Sequence, residues 1–400
     1  MVRSVARLCG LALALLAGPA AAQMSDDVVR IGVLTDLSGP YADSGGRGSI
    51  AAAEMAAKDA GGRVRGKPVE IVSADHQNKP DVASSIARRW YDVDRVDAIV
   101  DLPVTAIALA VQAVAREKNR TVMITAAATS DLTAKTCSPV SSHWTDDTHA
   151  LTAGTARAVF ERGGRSWYFI TVDHAFGHAL QKQATTVVEA LGGKVLGTSR
   201  HPINTADYSS FLLQAQGSGA DVVAFASVGD DFTRAVKQAN EFGLMQGAQT
   251  LTGFLVYVTD IKGLGLPVAQ GLTFSEAFYW DQNEAARSFA ERYRKQTGAM
   301  PTKNQALIYT AVAHYLKAAE QAGTDEAVAV NRAMRATPVA FFGHPATLRA
   351  DGRLLYDPVL YKVKAPAASK GEWDLYETIR TIPQGEAFLP MNPACAGQPG

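Results

Sequence analysis

The sequence predicts an α/β protein built as two doubly wound, parallel-sheet lobes joined by a three-segment hinge. Three observations lead there. Short β-rich apolar runs alternate with longer stretches of helical periodicity along the chain, the pattern of parallel strands joined through helices. Taking the first 22 residues off the 400-residue chain leaves 378, more than one core ordinarily serves. No Gly/Ser-rich or Pro-rich tract divides the halves, so ordered crossings rather than a flexible tether are expected between them.

The N-terminus reads as an export signal. Arg3 and Arg7 precede an apolar run over 8–17, and Gly18, Pro19 and Ala20 to Ala22 offer a small-residue cleavage site before Gln23. The expected signal is therefore 1–22. Its apolar run is shorter than the roughly 20 residues that span a bilayer, and no later run reaches that length. No membrane insertion of the mature chain is expected. Cys9 lies ahead of most of the apolar run and is expected to leave with the signal. Cys137 and Cys395 remain, and an oxidising compartment permits them to pair and pin the C-terminal tail 391–400; two free thiols are the alternative. Acidic and basic residues balance at 39 each, which leaves no electrostatic footprint for nucleic acid or an anionic membrane surface.

Strands are expected over 28–34, 69–72, 98–100 and 122–124 in the first half, and over 167–172 and 222–226 in the second. Residues 50–60 are alanine-rich and stop at Gly61-Gly62, a helix end. Ile107, Val111 and Val114 keep helical spacing before Arg116, Lys118 and Arg120 close a second helix with favourable charge. The series breaks near 142–146, 273–278 and 355–360, the candidate crossings. Lobe one is then expected to span 23–144 and 277–355, and lobe two 145–276 and 356–390.

Sheets of this kind bind ligands beyond the carboxyl ends of their strands, and that is where the candidate site residues fall. Tyr41 tips the Gly39-Pro40 turn after the first strand, Thr105 opens the helix after the third, and Ala127 and Thr129 follow the fourth. The second half supplies Phe176, Asp230 and Tyr257 after its own strands, with Tyr279 beyond. Taken singly, Tyr41 reads as surface, Thr105 and Thr129 as helix caps, and Phe176 as core; their shared position after strands favours a site.

Four ordered segments carry a family resemblance: R-I-G-V-L-T-D-L-S-G-P-Y at 30–41, A-G-G-R-V-R-G-K-P-V-E-I at 60–71, M-I-T-A-A-A-T-S-D-L-T at 123–133 and D-Y-S-S-F-L-L-Q-A-Q at 207–216. With them the chain resembles the branched-chain amino acid (leucine/isoleucine/valine-binding) type of periplasmic substrate-binding proteins of ABC transporters. The resemblance implies the type I periplasmic binding fold, a periplasmic location, a monomer, closure on a small ligand and delivery to ABC permease subunits. It places the carboxylate grip on Thr105, Ala127 and Thr129, an aromatic wall at Tyr41, and Phe176 where leucine-binding members carry a tyrosine. Two departures stand out. Leu255, in T-G-F-L-V-Y, falls where those receptors use an acid for the ligand ammonium, and Val228 falls where they use a tyrosine. A buried ammonium without an acceptor is costly, so the expected ligand is a small organic carboxylate with an uncharged, aromatic body against Phe176, Tyr257 and Tyr279. An amino acid held by Asp230 or Asp173 is the alternative, as is a receptor for a signalling partner.

No cofactor, metal or catalytic activity is expected. His174 and His178 have helical i, i+4 spacing, but Gly177 lies between them and no third ligand is near. Gly45-Gly46-Arg47-Gly48 fits neither phosphate-loop pattern, and there is no G-x-S-x-G motif.

Overall fold

The computed structural model describes residues 23–244 and 247–395. The expected signal, 1–22, and the last five residues of the tail lie outside the described residues. Among those described, no helix is long and apolar enough to cross a membrane.

The first lobe runs β1 (Val29–Thr35), α1 (Gly46–Asp59), β2 (Arg63–Val64), β3 (Lys67–Asp75), α2 (Pro80–Asp92), β4 (Ala98–Asp101), α3 (Thr105–Lys118), β5 (Thr121–Ile124), α4 (Asp131–Ala134) and β6 (Ser141–His143). Its strands are ordered β2-β3-β1-β4-β5-β6, parallel except for the β2–β3 hairpin. Strands β1, β4 and β5 are almost wholly buried, which is why they appear as unbroken apolar runs. Gly32 inside β1 is required by packing: a Cβ there would stand 2.4 Å from the Trp90 ring of α2. Helix α1 ends at Gly61 and Gly62, both at positive φ, and α3 at Asn119 in the left-handed conformation.

The second lobe follows with α5 (Thr148–Glu161), β7 (Ser166–Val172), α6 (Ala175–Ala190), β8 (Lys194–His201), α7 (Ser209–Gly217), β9 (Val222–Ala226), α8 (Asp230–Glu241), β10 (Thr250–Gly253), α9 (Val258–Leu264) and α10 (Leu266–Ala269). Its parallel sheet is ordered β10-β9-β7-β8. Each sheet reverses its strand order once, between β1 and β4 in the first and between β7 and β9 in the second. Those two switch points are the places where open parallel sheets form ligand crevices.

After β11 (Thr273–Glu276) the chain returns through α11 (Glu284–Thr297), α12 (Lys303–Ala322) and α13 (Ala327–Ala336), which complete the apolar core around β1. Two small antiparallel sheets then appear that the alternating pattern did not announce. One joins β12 (Val339–Phe341), β13 (His344–Leu348) and β14 (Leu354–Leu355); the other joins β11, β15 (Val359–Val363) and β16 (Tyr376–Thr381), before the short α14 (Gln384–Ala387).

Asp146 ties three separate passages of chain together. Its buried carboxylate accepts from the Lys303 ammonium at 2.8 Å, the Tyr356 hydroxyl at 2.7 Å and the Ala277 amide at 3.2 Å. Glu276 lies beside this knot with neither carboxyl oxygen hydrogen-bonded, and burial holds its pKa well above the ordinary range despite Lys303. Cys137 and Cys395 form a disulfide, with Cα atoms 6.1 Å apart. It fastens the end of the chain just beyond α4.

Candidate functional site

Loops at the carboxyl ends of β1, β4 and β5 meet loops following β7, β9 and β10 across a narrow cleft. Only about 20 Å³ of it admits the centre of a water molecule, room for roughly one water. The lobes are therefore drawn together in this structure. Several contacts cross between them. The Tyr41 hydroxyl lies 3.4 Å from His174 Nε2, the Asn304 amide donates to the Tyr257 hydroxyl at 3.1 Å, and Gly229 passes the Pro40 carbonyl so closely that a Cβ would sit 2.8 Å from it. A wider groove between Trp280 and Trp373 lies away from the strand ends and is open to solvent.

Tyr41 is positioned from below. The buried Asp36 carboxylate accepts from the amides of Ser38, Gly39 and Tyr41 and from the Asn78 side chain, fixing the turn that carries the ring. Burial, reinforced by Asp231 and Asp36, raises the Tyr41 pKa, so the phenol keeps its proton.

Thr105 is the first helical residue of α3. The cap position is Val104, and no side chain caps the helix, leaving first-turn amides of the kind that attract anions. The Thr105 hydroxyl lines the cleft, is buried, and has no hydrogen-bond partner. It is therefore not spent as a helix cap.

The second lobe contributes Phe176, Val228, Leu255 and Tyr257 to the wall, and His174 at its edge. Leu255 and Val228, the two departures noted in the sequence, face this space as apolar surfaces. Among the described residues, no acidic side chain lines the cleft. His174 is the N-cap of α6 and makes no capping bond through its side chain. Burial lowers its pKa, outweighing Asp231 and Asp173, so the ring is neutral at pH 7.

Of the residues singled out in the sequence, Tyr41, Thr105, Phe176 and Tyr257 come together here. The others lie elsewhere. Ala127 sits between two lining residues, Ala126 and Ala128, while its carbonyl accepts from His143 Nε2 at 2.7 Å. Thr129 is buried beyond the lining, and its hydroxyl accepts from the Asp131 amide at 3.4 Å. Asp230 opens α8 in a neighbouring surface hollow with Gly229 and Lys237, 3.8 Å from Arg234. Asp173 pairs with exposed His178 at 2.7 Å. Tyr279 stacks on Tyr376 with ring centres 4.4 Å apart, and its hydroxyl donates to the Trp373 carbonyl at 2.8 Å inside the second lobe's core. Sequence reasoning passed over His174 as a contact because its spacing to His178 drew attention to metal binding. Ser44, also in the lining, follows the Tyr41 turn and had no signal of its own.

Two parallel-sheet lobes joined by repeated crossings, with a mostly apolar cleft at both switch points, define a two-lobed receptor for small solutes. The comparisons with known proteins agree. The periplasmic binding protein family matches residues 28–372, and the chain belongs to it. A crystal structure of a periplasmic binding protein from Burkholderia mallei is 41% identical, with a TM-score of 0.89, and covers 92% of this chain and 99% of that one. The periplasmic ligand-binding protein of a branched-chain amino acid ABC transporter from Burkholderia xenovorans is 38% identical, with a TM-score of 0.82, over 90% of this chain and 97% of that one. A Leu/Ile/Val-binding protein homolog of Brucella melitensis is 28% identical over 277 residues, 68% of this chain and 70% of its own. At the level of fold, a solute-binding protein of an R. palustris ABC transporter, solved with 4-hydroxybenzoate, has a TM-score of 0.81 at 21% identity, over 89% of this chain and 97% of that one. The chain is a periplasmic solute-binding receptor of an ABC transporter, a class of receptors rather than of enzymes.

Proposed function

We propose that the receptor binds a small organic carboxylate with an aromatic body in the interlobe cleft and presents it, closed, to the permease. The observation that carries this reading is an asymmetry of the lining. An unpartnered Thr105 hydroxyl stands at the uncapped start of α3, whereas no carboxylate among the described residues faces the same space to receive an ammonium. An anion gains hydrogen bonds and the favourable end of the helix dipole there. The rings of Phe176 and Tyr257, with Leu255 and Val228, supply apolar surface for the rest. A ligand touching both lobes stabilises their closed arrangement over the open one, and the three crossings gathered at Asp146 provide the axis of movement.

The names of the relatives favour a second reading, a branched-chain amino acid. Leu255 and Val228 offer its ammonium no partner, and a buried unpaired charge costs several kcal/mol, on the order of the whole affinity of a weak ligand. A thermal-shift and calorimetric screen of leucine, isoleucine and valine against benzoate and short aliphatic carboxylates separates the two. The proposal predicts saturable one-to-one binding of an aromatic carboxylate and a raised melting temperature. Tight binding of leucine with none of benzoate overturns it.

A further inference from the structure

We infer that His174 and Tyr41 together form a hydroxyl-recognition subsite, so that the preferred carboxylate ligand carries a hydroxyl group on its body. The inference rests on the carboxylate reading above and adds to it the second polar group of the ligand.

The two side chains come from different lobes. Tyr41 hangs from the turn after β1 and His174 from the start of α6, and both line the cleft. Their polar atoms stand 3.4 Å apart, beyond the ordinary length of an O–H···N hydrogen bond. The two are joined only by this long, weak hydrogen bond, which a better-placed partner can replace. The surrounding wall gives neither a substitute, since Phe176, Val228 and Leu255 are apolar, and Phe176 holds the imidazole at a ring-centre distance of 6.2 Å.

The protonation states fix what the pair can read. A protonated phenol donates once and accepts; a neutral imidazole has one donor and one acceptor nitrogen. A ligand hydroxyl also donates and accepts, so it satisfies both at once, accepting from one and donating to the other. Other second groups match less well. A carboxylate only accepts, and it would be repelled by the buried Asp231, whose negative charge is felt at both Tyr41 and His174. An ammonium only donates, and Asp231 is already engaged by the amides of Asn204 and Thr205 and by the Tyr208 hydroxyl. A ligand bearing hydrogen in place of the hydroxyl leaves both tips with only their long bond to each other in a largely apolar setting, the kind of arrangement that discriminates against an analogue.

The test compares benzoate with the three monohydroxybenzoates by calorimetry on the wild-type protein and on Tyr41→Phe and His174→Leu, with folding of each variant checked by its melting curve. Tyr41→Phe keeps the ring and deletes only the hydroxyl, so it serves if His174→Leu does not fold. The expected result is one hydroxybenzoate isomer binding roughly ten-fold or more tightly than benzoate, as for one hydrogen bond. That ratio should fall toward one in each variant, whatever happens to benzoate affinity itself. A ratio near one in the wild type, or a ratio the variants leave unchanged, overturns the subsite while leaving the carboxylate reading in place. If none of the four acids binds but leucine does, the carboxylate reading fails and the subsite falls with it.

Discussion

Replacing Thr105 with valine separates a structural from a functional role for its hydroxyl. In the free protein this group is buried with no partner, and an unsatisfied buried hydroxyl costs about 1–3 kcal/mol. Valine is nearly isosteric and removes that cost, so the melting temperature of ligand-free Thr105→Val should hold or rise. With a carboxylate bound, the same hydroxyl donates to a charge, an interaction of about 1.5–3 kcal/mol. Its loss corresponds to roughly a 10-fold to 150-fold rise in Kd, at about 1.4 kcal/mol per factor of ten. Stability and affinity should thus move in opposite directions, an outcome that general damage to the fold does not produce. Calorimetry of an aromatic carboxylate, paired with differential scanning calorimetry of the free variants, reads both. Affinity within two-fold of wild type would remove Thr105 from the site. A lowered melting temperature would show that its hydroxyl has a structural partner after all.

Three further perturbations follow from the geometry. Gly229 holds φ +63 and ψ −135, and a Cβ there meets the Pro40 carbonyl of the other lobe at 2.8 Å; Gly229→Ala should weaken ligand binding at least about ten-fold by adding 1–3 kcal/mol of strain and holding the lobes apart, and unchanged affinity with normal compaction in small-angle scattering would contradict the closure. Burial, aided by Asp230 and Asp43, raises the Asp260 carboxyl from 3.8 to about 7. The folded state therefore keeps a proton that the unfolded chain releases, and stability falls as pH rises from about 4 to about 7, by up to ~4 kcal/mol from this group; Asp260→Asn should flatten that slope, and an unaltered pH profile of melting would refute the assignment. Finally, the Cys137–Cys395 disulfide closes a loop with a sequence separation of 258, so a reductant or the double serine variant should lower stability by about 2–5 kcal/mol, and an unchanged denaturant midpoint would show that the bond contributes nothing.

The sequence revealed most where burial is most complete. Strands β1, β4, β5, β7 and β9 are apolar on both faces and could be read directly, and the glycines and charges closing α1 and α3 marked their ends. Strand β8 was missed because it is an edge: every second residue is exposed, the residues between are half-buried or buried, and Gly197 with the polar Thr198, Ser199 and Arg200 leaves no apolar run. The two antiparallel sheets near the C-terminus were missed because their strands are short and depend on partners distant in sequence, with β11 pairing to β15. In the cleft, positions following strands were legible, hence Tyr41, Thr105, Phe176 and Tyr257. Side-chain direction was not. Tyr279 has the right chemistry and points into the second lobe's core, Asp230 sits outside the lining, and the Thr129 hydroxyl is turned to its own loop. His174 was visible only once Tyr41 of the other lobe stood beside it.

The most direct test is a crystal structure of the receptor with an aromatic carboxylate it binds. The carboxylate should lie at the start of α3, within hydrogen-bond distance of the Thr105 hydroxyl, and the ring between Phe176 and Tyr257. A ligand lodged elsewhere, or one in the cleft with its carboxylate turned away from α3, would contradict that placement.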